Sequence, residues 1–223
     1  LRKLFSYLPQ CLKGIEASLF HPIISTIIVA LLMFYLNSYL YIGHTYILNY
    51  VSFVESQIST KVLFGFVLGM MMAIDNGGPI NKTAYVFSIG MLISYDYYPM
   101  AAVMAGGMIP PFVIALTATL FKDRFEVRKD ALMNYINGIS FISEGAIPFI
   151  QKESQIILPA CCLSAGLAGA LSMYFNCSIA SPHGGLFLIW MVQNPISYLS
   201  LIVCSTCVGT ILLILFTKLK KES

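Results

Sequence analysis

Charge is scarce in this sequence. Of 223 residues only 13 are Lys or Arg and 10 are Asp or Glu, so 10% are charged while 58% are hydrophobic. Soluble domains carry about 25% charged residues, and a water-exposed fold of this size could not hide so much apolar surface. A soluble enzyme is therefore excluded, as are disordered and collagen-like chains. Six cysteines are too few for a secreted domain held by disulfides. Several chemical signatures are also missing. The sequence has no glycine-rich phosphate loop ending in Lys-Ser/Thr, no His-Glu-x-x-His, no Gly-x-Ser-x-Gly and no arginine-rich voltage-sensing helix. Basic residues form no stripe interleaved with aromatics, so no nucleic-acid partner is expected. No metal set and no cofactor are expected either. With a mean hydropathy of +0.81, the solvent for most of the chain is lipid.

The residues that are present divide into apolar runs and polar breaks. Segment 23–40 is long enough to cross ~30 Å of hydrocarbon at ~1.5 Å per residue, and Tyr39, Tyr41 and Tyr46 gather at its far end as an interfacial belt. Segment 61–73 is apolar but too short to span alone. It stops at Asp75-Asn76-Gly77-Gly78-Pro79-Ile80-Asn81-Lys82 and resumes over 83–94, the pattern of a broken helix or re-entrant hairpin. Segment 99–120 contains Gly106-Gly107 and Pro110-Pro111, which predicts a kinked or discontinuous span. Segment 132–150 is interrupted by Asn134, Asn137, Gly138, Glu144, Gly145 and Pro148 and reads as a second hairpin. Segments 156–175 and 196–216 are clean spans. Between them Ser181-Pro182-His183-Gly184-Gly185 makes a third break, followed by a short apolar run over 186–192.

Basic residues collect at Lys122, Arg124, Arg128 and Lys129 and again at Lys218, Lys220 and Lys221. The positive-inside bias puts both clusters, and hence the C-terminus, on the cytoplasmic side. The mildly basic stretch 1–14 reads as an interior loop or short interfacial helix, as if the chain began partway through a larger protein. The expected fold is an all-α integral membrane protein, polytopic, with broken helices and re-entrant hairpins.

An ionisable group within lipid costs about 2.5–3.5 kcal/mol on insertion scales, which makes each one a functional candidate. Asp75 with Lys82, Glu144, and His183 all lie in glycine- and proline-broken segments. Irregular backbone survives at membrane depth only where it lines a cavity or is covered by protein, so the three breaks are expected to converge on one polar chamber. Asp75 and Lys82 can form an ion pair closing the turn, contact a ligand, or do both. Asn81 offers a donor and an acceptor suited to a sugar hydroxyl. Glu144 in a partly dry site could take a proton from a hydroxyl. His21 and His44 are expected at the membrane interface, and Glu55 and Asp96 in loops. Cys161 and Cys162, and Cys204 and Cys207, fit packing between helices; a metal or redox pair at Cys204 and Cys207 is geometrically allowed.

At this point three motifs become recognisable. The 75–85 stretch, Gly138-Ile139-Ser140-Phe141-Ile142-Ser143-Glu144-Gly145-Ala146-Ile147-Pro148-Phe149, and Pro182-His183-Gly184-Gly185 resemble the signatures of the fructose-type enzyme IIC. That is the membrane subunit of the bacterial phosphoenolpyruvate-dependent sugar phosphotransferase system. The resemblance implies one partial enzyme IIC membrane domain over 1–223, the C-terminal portion of a larger one, lacking upstream passages and the IIA and IIB domains. It implies a homodimeric permease of the cytoplasmic membrane whose sugar is phosphorylated by a phosphocysteine on IIB, itself supplied by IIA. Glu144 would be the catalytic base, with Asp75, Asn81, Lys82, Gly145 and His183 binding the sugar. The sequence departs from the family pattern at Asn76, where a methionine is usual, at Ser143, where a threonine is usual, and after Phe149, where an Asp-Pro pair and an arginine are usual. A secondary transporter or channel without phosphoryl transfer, or an inactive remnant, would keep the same hairpins.

Overall fold

The computed structural model describes residues 21–55, 57–121, 124–125 and 128–222. Expectations that fall on 1–14, on Lys122, and on the side chains of His21, Tyr39, Tyr41, His44, Glu55 and Lys221 lie outside the described residues. Packing divides the chain into two units, Leu1–Ser52 and Phe53–Ser223.

In the first unit the expected span belongs to a longer helix. α1 runs His21–Glu55, 35 residues, so Glu55 ends a helix rather than sitting in a loop. The exposed side chains of Ile27, Leu31, Phe34 and Tyr35 give α1 the apolar exterior of a lipid-facing segment.

The second unit is helical throughout, with no strand among the described residues. Its α-helices are α2 Ile58–Ile74, α3 Pro79–Ile93, α4 Tyr98–Leu120, α5 Arg128–Ile139, α6 Ile147–Lys152, α7 Ser154–Tyr174 and α8 Pro195–Glu222, and two 3₁₀ turns occupy Ser143–Ala146 and Gly185–Met191. Among the described residues three helices are long and apolar enough to cross a membrane, Tyr98–Leu120, Ser154–Tyr174 and Pro195–Lys220. Together with the apolar composition they make this an all-α membrane protein.

α4 is the central post. Its apolar window is 94% buried, against 39% for that of α8, so neighbours rather than lipid surround it. Of the two outcomes expected at Pro110-Pro111, a kink or a discontinuity, the discontinuity does not occur, because both prolines lie inside one helix. The two missing N–H groups would have bonded to the carbonyls of Gly106 and Gly107, and those glycines are where neighbours press closest. A Cβ on Gly106 would lie 2.6 Å from the Cα of Gly69 in α2, and one on Gly107 would strike the Phe141 ring. Packing on every side holds the helix across the gap. α2 crosses α7 by the same device, with Gly65 against Gly169 and Gly69 against Ala165. Close backbone approach is what binds helices where lipid removes the hydrophobic drive.

Contacts at the two ends of the unit fix the course of the chain. At one end Lys61, near the start of α2, donates to Asn176 Oδ1 beyond α7 at 2.8 Å and lies over the Tyr98 ring at the start of α4. Asp96, in the α3–α4 loop as expected, belongs to this cluster. Burial pushes its carboxyl above the ordinary range, while the Tyr98 N–H and Lys61 pull it back. At the other end Arg124, just past α4, pairs in two-pronged fashion with Glu153 between α6 and α7, at 2.9 and 2.8 Å. Arg128 Nε donates to the Ala118 carbonyl, and Lys220 of α8 adds its field at Glu153. Thus α2 and α3 form a hairpin rooted at the Lys61 end, and α5 and α6 form one rooted at the Arg124 end. Their tips meet between.

Cys161 is buried in α7, as helix packing requires, but Cys204 and Cys207 are exposed on α8 and do not fill a helix interface. No group of three metal-ligating side chains occurs among the described residues.

Candidate functional site

The tip of the first hairpin is built by its own carboxylate. Asp75 ends α2, and its two oxygens accept from the backbone N–H groups of Ile80 (2.7 Å) and Asn81 (2.9 Å). These donors lie in the first turn of α3, where amides have no helical partner. Among the described residues there is no ion pair between Asp75 and Lys82; the Asp75 carboxylate is used as a cap. Asn76 has φ 41° and Gly77 φ 104°, a left-handed pair that reverses the chain, and Asn and Gly are the residues that tolerate this region. Asn76 Nδ2 also donates to the Ala73 carbonyl at 2.7 Å, closing the end of α2.

The second tip uses its carboxylate differently. α5 ends at Ile139, Phe141 takes φ 59°, and the Ser143–Ala146 turn carries Glu144. The Glu144 side chain lies directly on the backbone of Gly77, where an added Cβ would come 2.5 Å from Oε1. Beside it, Asn81 Nδ2 donates to the Met72 carbonyl (2.7 Å) and to Ser143 Oγ (3.4 Å), joining the two tips.

The third break delivers His183. The ends of this loop are tied together by Asn194 Nδ2, which donates to the carbonyls of Phe175 and Asn176. Gly185 packs on the Ile139 carbonyl. His183 then stands with its ring centroid 5.2 Å from that of Phe141 and 6.5 Å from that of Tyr85.

These segments enclose a cavity of about 250 Å³ whose wall includes Asn81, Lys82, Tyr85, Ser143, Glu144 and His183. Its size lies just under the roughly 300–1,000 Å³ of pockets for drug-sized ligands. The expected convergence of the three breaks is present. Lys82, Glu144 and His183 are all exposed in its wall. Two expected contacts sit elsewhere: Asp75 is spent on the cap, and Gly145 faces a different cavity on the far side of its turn. Sequence reasoning overlooked Tyr85, Phe141 and Ser143 as wall residues. They lie within the recognised motifs, and their place beside the glycine breaks was the available signal.

An all-α membrane protein whose helix breaks meet around a cavity is the class this geometry defines, the arrangement in which discontinuous helices line a binding site. A family model described as "Phosphotransferase system, EIIC" matches residues 2–164. The chain belongs to that family. It is 37% identical to the fructose permease IIC component of Bacillus amyloliquefaciens over 225 residues, covering 100% of this chain and 73% of that one. It is 38% identical to the PTS system fructose-specific EIIABC component of Bacillus subtilis (strain 168), over 96% of this chain and 34% of that one. It is 36% identical to the PTS system fructose-specific EIIB'BC component of Escherichia coli (strain K12), over 91% of this chain and 37% of that one. The chain thus spans about a third of the length of these larger relatives. No solved structure matches it.

Proposed function

We propose that this chain is the sugar-handling part of a fructose-type permease of the phosphotransferase system, with fructose or a close relative as its substrate. The observation that carries the reading is the meeting of Glu144, Asn81, Lys82 and His183 around one cavity. Names of relatives that join IIA, IIB and IIC parts support IIB as the phosphoryl donor and IIA as the protein that charges it. A sugar presents hydroxyls to Asn81, Lys82 and His183 and apolar C–H faces to Tyr85 and Phe141, matching a pocket of few polar groups among aromatic walls.

Glu144 accepts the proton of the attacking hydroxyl. As it does so, the sugar oxygen bonds to phosphorus, the S–P bond of the phosphocysteine breaks, and its electron pair leaves on the thiolate. Asp75 acts one step back as a positioning residue, holding the first turn of α3 and therefore Asn81. The chain works as one enzyme IIC domain in a homodimer, in the bacterial cytoplasmic membrane, with the Arg124 end and the C-terminus on the cytoplasmic side.

Membranes carrying the chain, given phosphorylated IIB and labelled fructose, yield fructose phosphate that remains inside. Entry of unmodified sugar would instead favour a transporter without phosphoryl transfer. For orientation, Lys129→Cys reacts only with thiol reagents admitted to the cytoplasmic face; labelling from outside would invert the assignment.

A further inference from the structure

Several cations of the second unit are already engaged. Lys61 donates to Asn176 Oδ1 and covers the Tyr98 ring. Arg124 pairs with Glu153, and Arg128 donates to the Ala118 carbonyl. Lys82 differs, since its ammonium makes no hydrogen bond and no ion pair among the described residues. Asp75, close by in the chain, gives both of its oxygens to the backbone N–H groups of Ile80 and Asn81. Lys82 nevertheless lines the cavity of about 250 Å³ beside Glu144, and no other Lys or Arg among the described residues belongs to that wall. Lys82 stands in the first hairpin and Glu144 in the second. Both are exposed, and no ion pair joins them. The cavity therefore carries a carboxylate on one tip and an unpaired ammonium on the other.

We propose that Lys82 is a further catalytic residue, the ammonium that holds the phosphoryl oxygens while the group passes from sulfur to sugar. This rests on the phosphotransfer reading above. Binding a neutral sugar accounts for one hydrogen bond from Lys82 and leaves its charge without a use. Before transfer the Glu144 carboxylate balances that charge within the same wall, which suits an uncharged ligand. Once the hydroxyl proton passes to Glu144, the negative charge is gone and the ammonium faces the phosphoryl group uncompensated. Its attraction is thus greatest in the transition state, the condition for raising kcat rather than tightening substrate binding. Phosphoryl transfer depends on positive groups placed at the phosphoryl oxygens. Lysine meets phosphate as a point charge on a flexible stem, able to follow the group between donor and acceptor. In the transfer itself S–P breaks, O–P forms, the hydroxyl proton goes to Glu144 and the electron pair leaves on the donor's sulfur. Lys82 keeps all of its protons throughout.

Lys82→Met removes the charge and keeps most of the length, whereas Lys82→Arg keeps the charge. Lys82→Gln serves as a second neutral variant where Lys82→Met accumulates poorly. Membranes carrying each chain are measured for accumulation, for equilibrium binding of labelled fructose and for kcat with phosphorylated IIB. A further measurement displaces the label with the fructose phosphate that the wild type produces. Lys82→Met should lower kcat by about 10²–10³-fold, the cost of one lost transition-state donor. Fructose binding should weaken by at most about tenfold, the value of a single neutral hydrogen bond. The product should displace label from the wild type at least about tenfold better than from Lys82→Met, and Lys82→Arg should recover most of kcat. A neutral variant turning over within a few-fold of the wild type would overturn the proposal, as would Lys82→Arg as slow as Lys82→Met. Loss of fructose binding in a neutral variant that accumulates normally would make Lys82 a ligand of the sugar alone, overturning the proposal while the sugar site stands. Absence of fructose phosphate from the wild type, with donor charged and fructose bound, would instead remove the phosphotransfer reading and this role with it.

Discussion

The two hairpin tips solve the same problem with the same kind of residue and end differently. Each is a glycine-broken turn between short helices, and each carries one carboxylate. Asp75 turns back onto its own chain and satisfies two amides of α3. Glu144 reaches across to the other hairpin, lies on Gly77, and stays exposed in the cavity wall. A carboxylate consumed by backbone donors holds geometry, while one left open to a chamber can exchange a proton. The distinction rests on chain length and position, since Asp75 stands at a helix junction where short reach suffices.

That contrast sets the order of the predictions. Glu144→Gln keeps size and hydrogen bonding but cannot take up a proton, so phosphorylation should fall by about 10²–10⁴-fold with fructose binding retained. Equal turnover, measured with charged IIB, would put Glu144 on the same structural footing as Asp75. Gly77→Ala attacks both tips at once, through its φ of 104° and its contact with Glu144. It should cost about 1–3 kcal/mol, read as a lower melting temperature in detergent. For Asp75 the charge matters less than the acceptor. Asp75→Ala should cost about 1 kcal/mol as a lost cap and weaken fructose binding, whereas Asp75→Asn, which keeps one of the two acceptors, should fall between Asp75→Ala and wild type. A collapse of phosphorylation in Asp75→Asn comparable to that of Glu144→Gln would erase the contrast.

The smallest effect belongs to the Arg124 end. The hydrogen bonds from Arg124 hold the Glu153 carboxyl below its ordinary range, against a smaller opposing push from burial. A group whose pKa is depressed on folding stabilises the fold above its unfolded value and loses that contribution as pH falls through the folded one. Thermal melts of the wild type and Glu153→Gln should therefore differ most near neutrality and draw together in acid. The pair is partly exposed, 11% and 36% for the two side chains, so the difference is at most about 1 kcal/mol. A constant gap across pH would show that the pair contributes through packing alone.

Much of the fold was legible because hydropathy and helix breakers speak directly to lipid. The clean spans at 156–175 and 196–216 appear as α7 and α8, and the breaks around Asp75, Glu144 and His183 each appear as a turn. The misreadings have a common cause. Pro110-Pro111 predicts a kink or an interruption from local chemistry; the interruption is absent because the glycines one turn earlier admit neighbours that hold α4 intact, and such packing is invisible in sequence. Asp75 and Lys82 allow an ion pair, a ligand contact or both, and of these alternatives the ion pair does not form, because the unpaired amides of α3 take the Asp75 carboxylate. Gly145 stands beside Glu144 in sequence, and only the 3₁₀ turn reveals that they face opposite ways. The motif residues pointed to the chamber, while which atoms face it depended on backbone conformation.

Convergence of the two tips on a sugar chamber can be tested without any donor protein. In a background lacking the native cysteines, Asn81→Cys and Ser143→Cys are combined, replacing side chains whose polar atoms stand 3.4 Å apart. Mild oxidation in membranes should join them rapidly. Failure to cross-link would contradict the account.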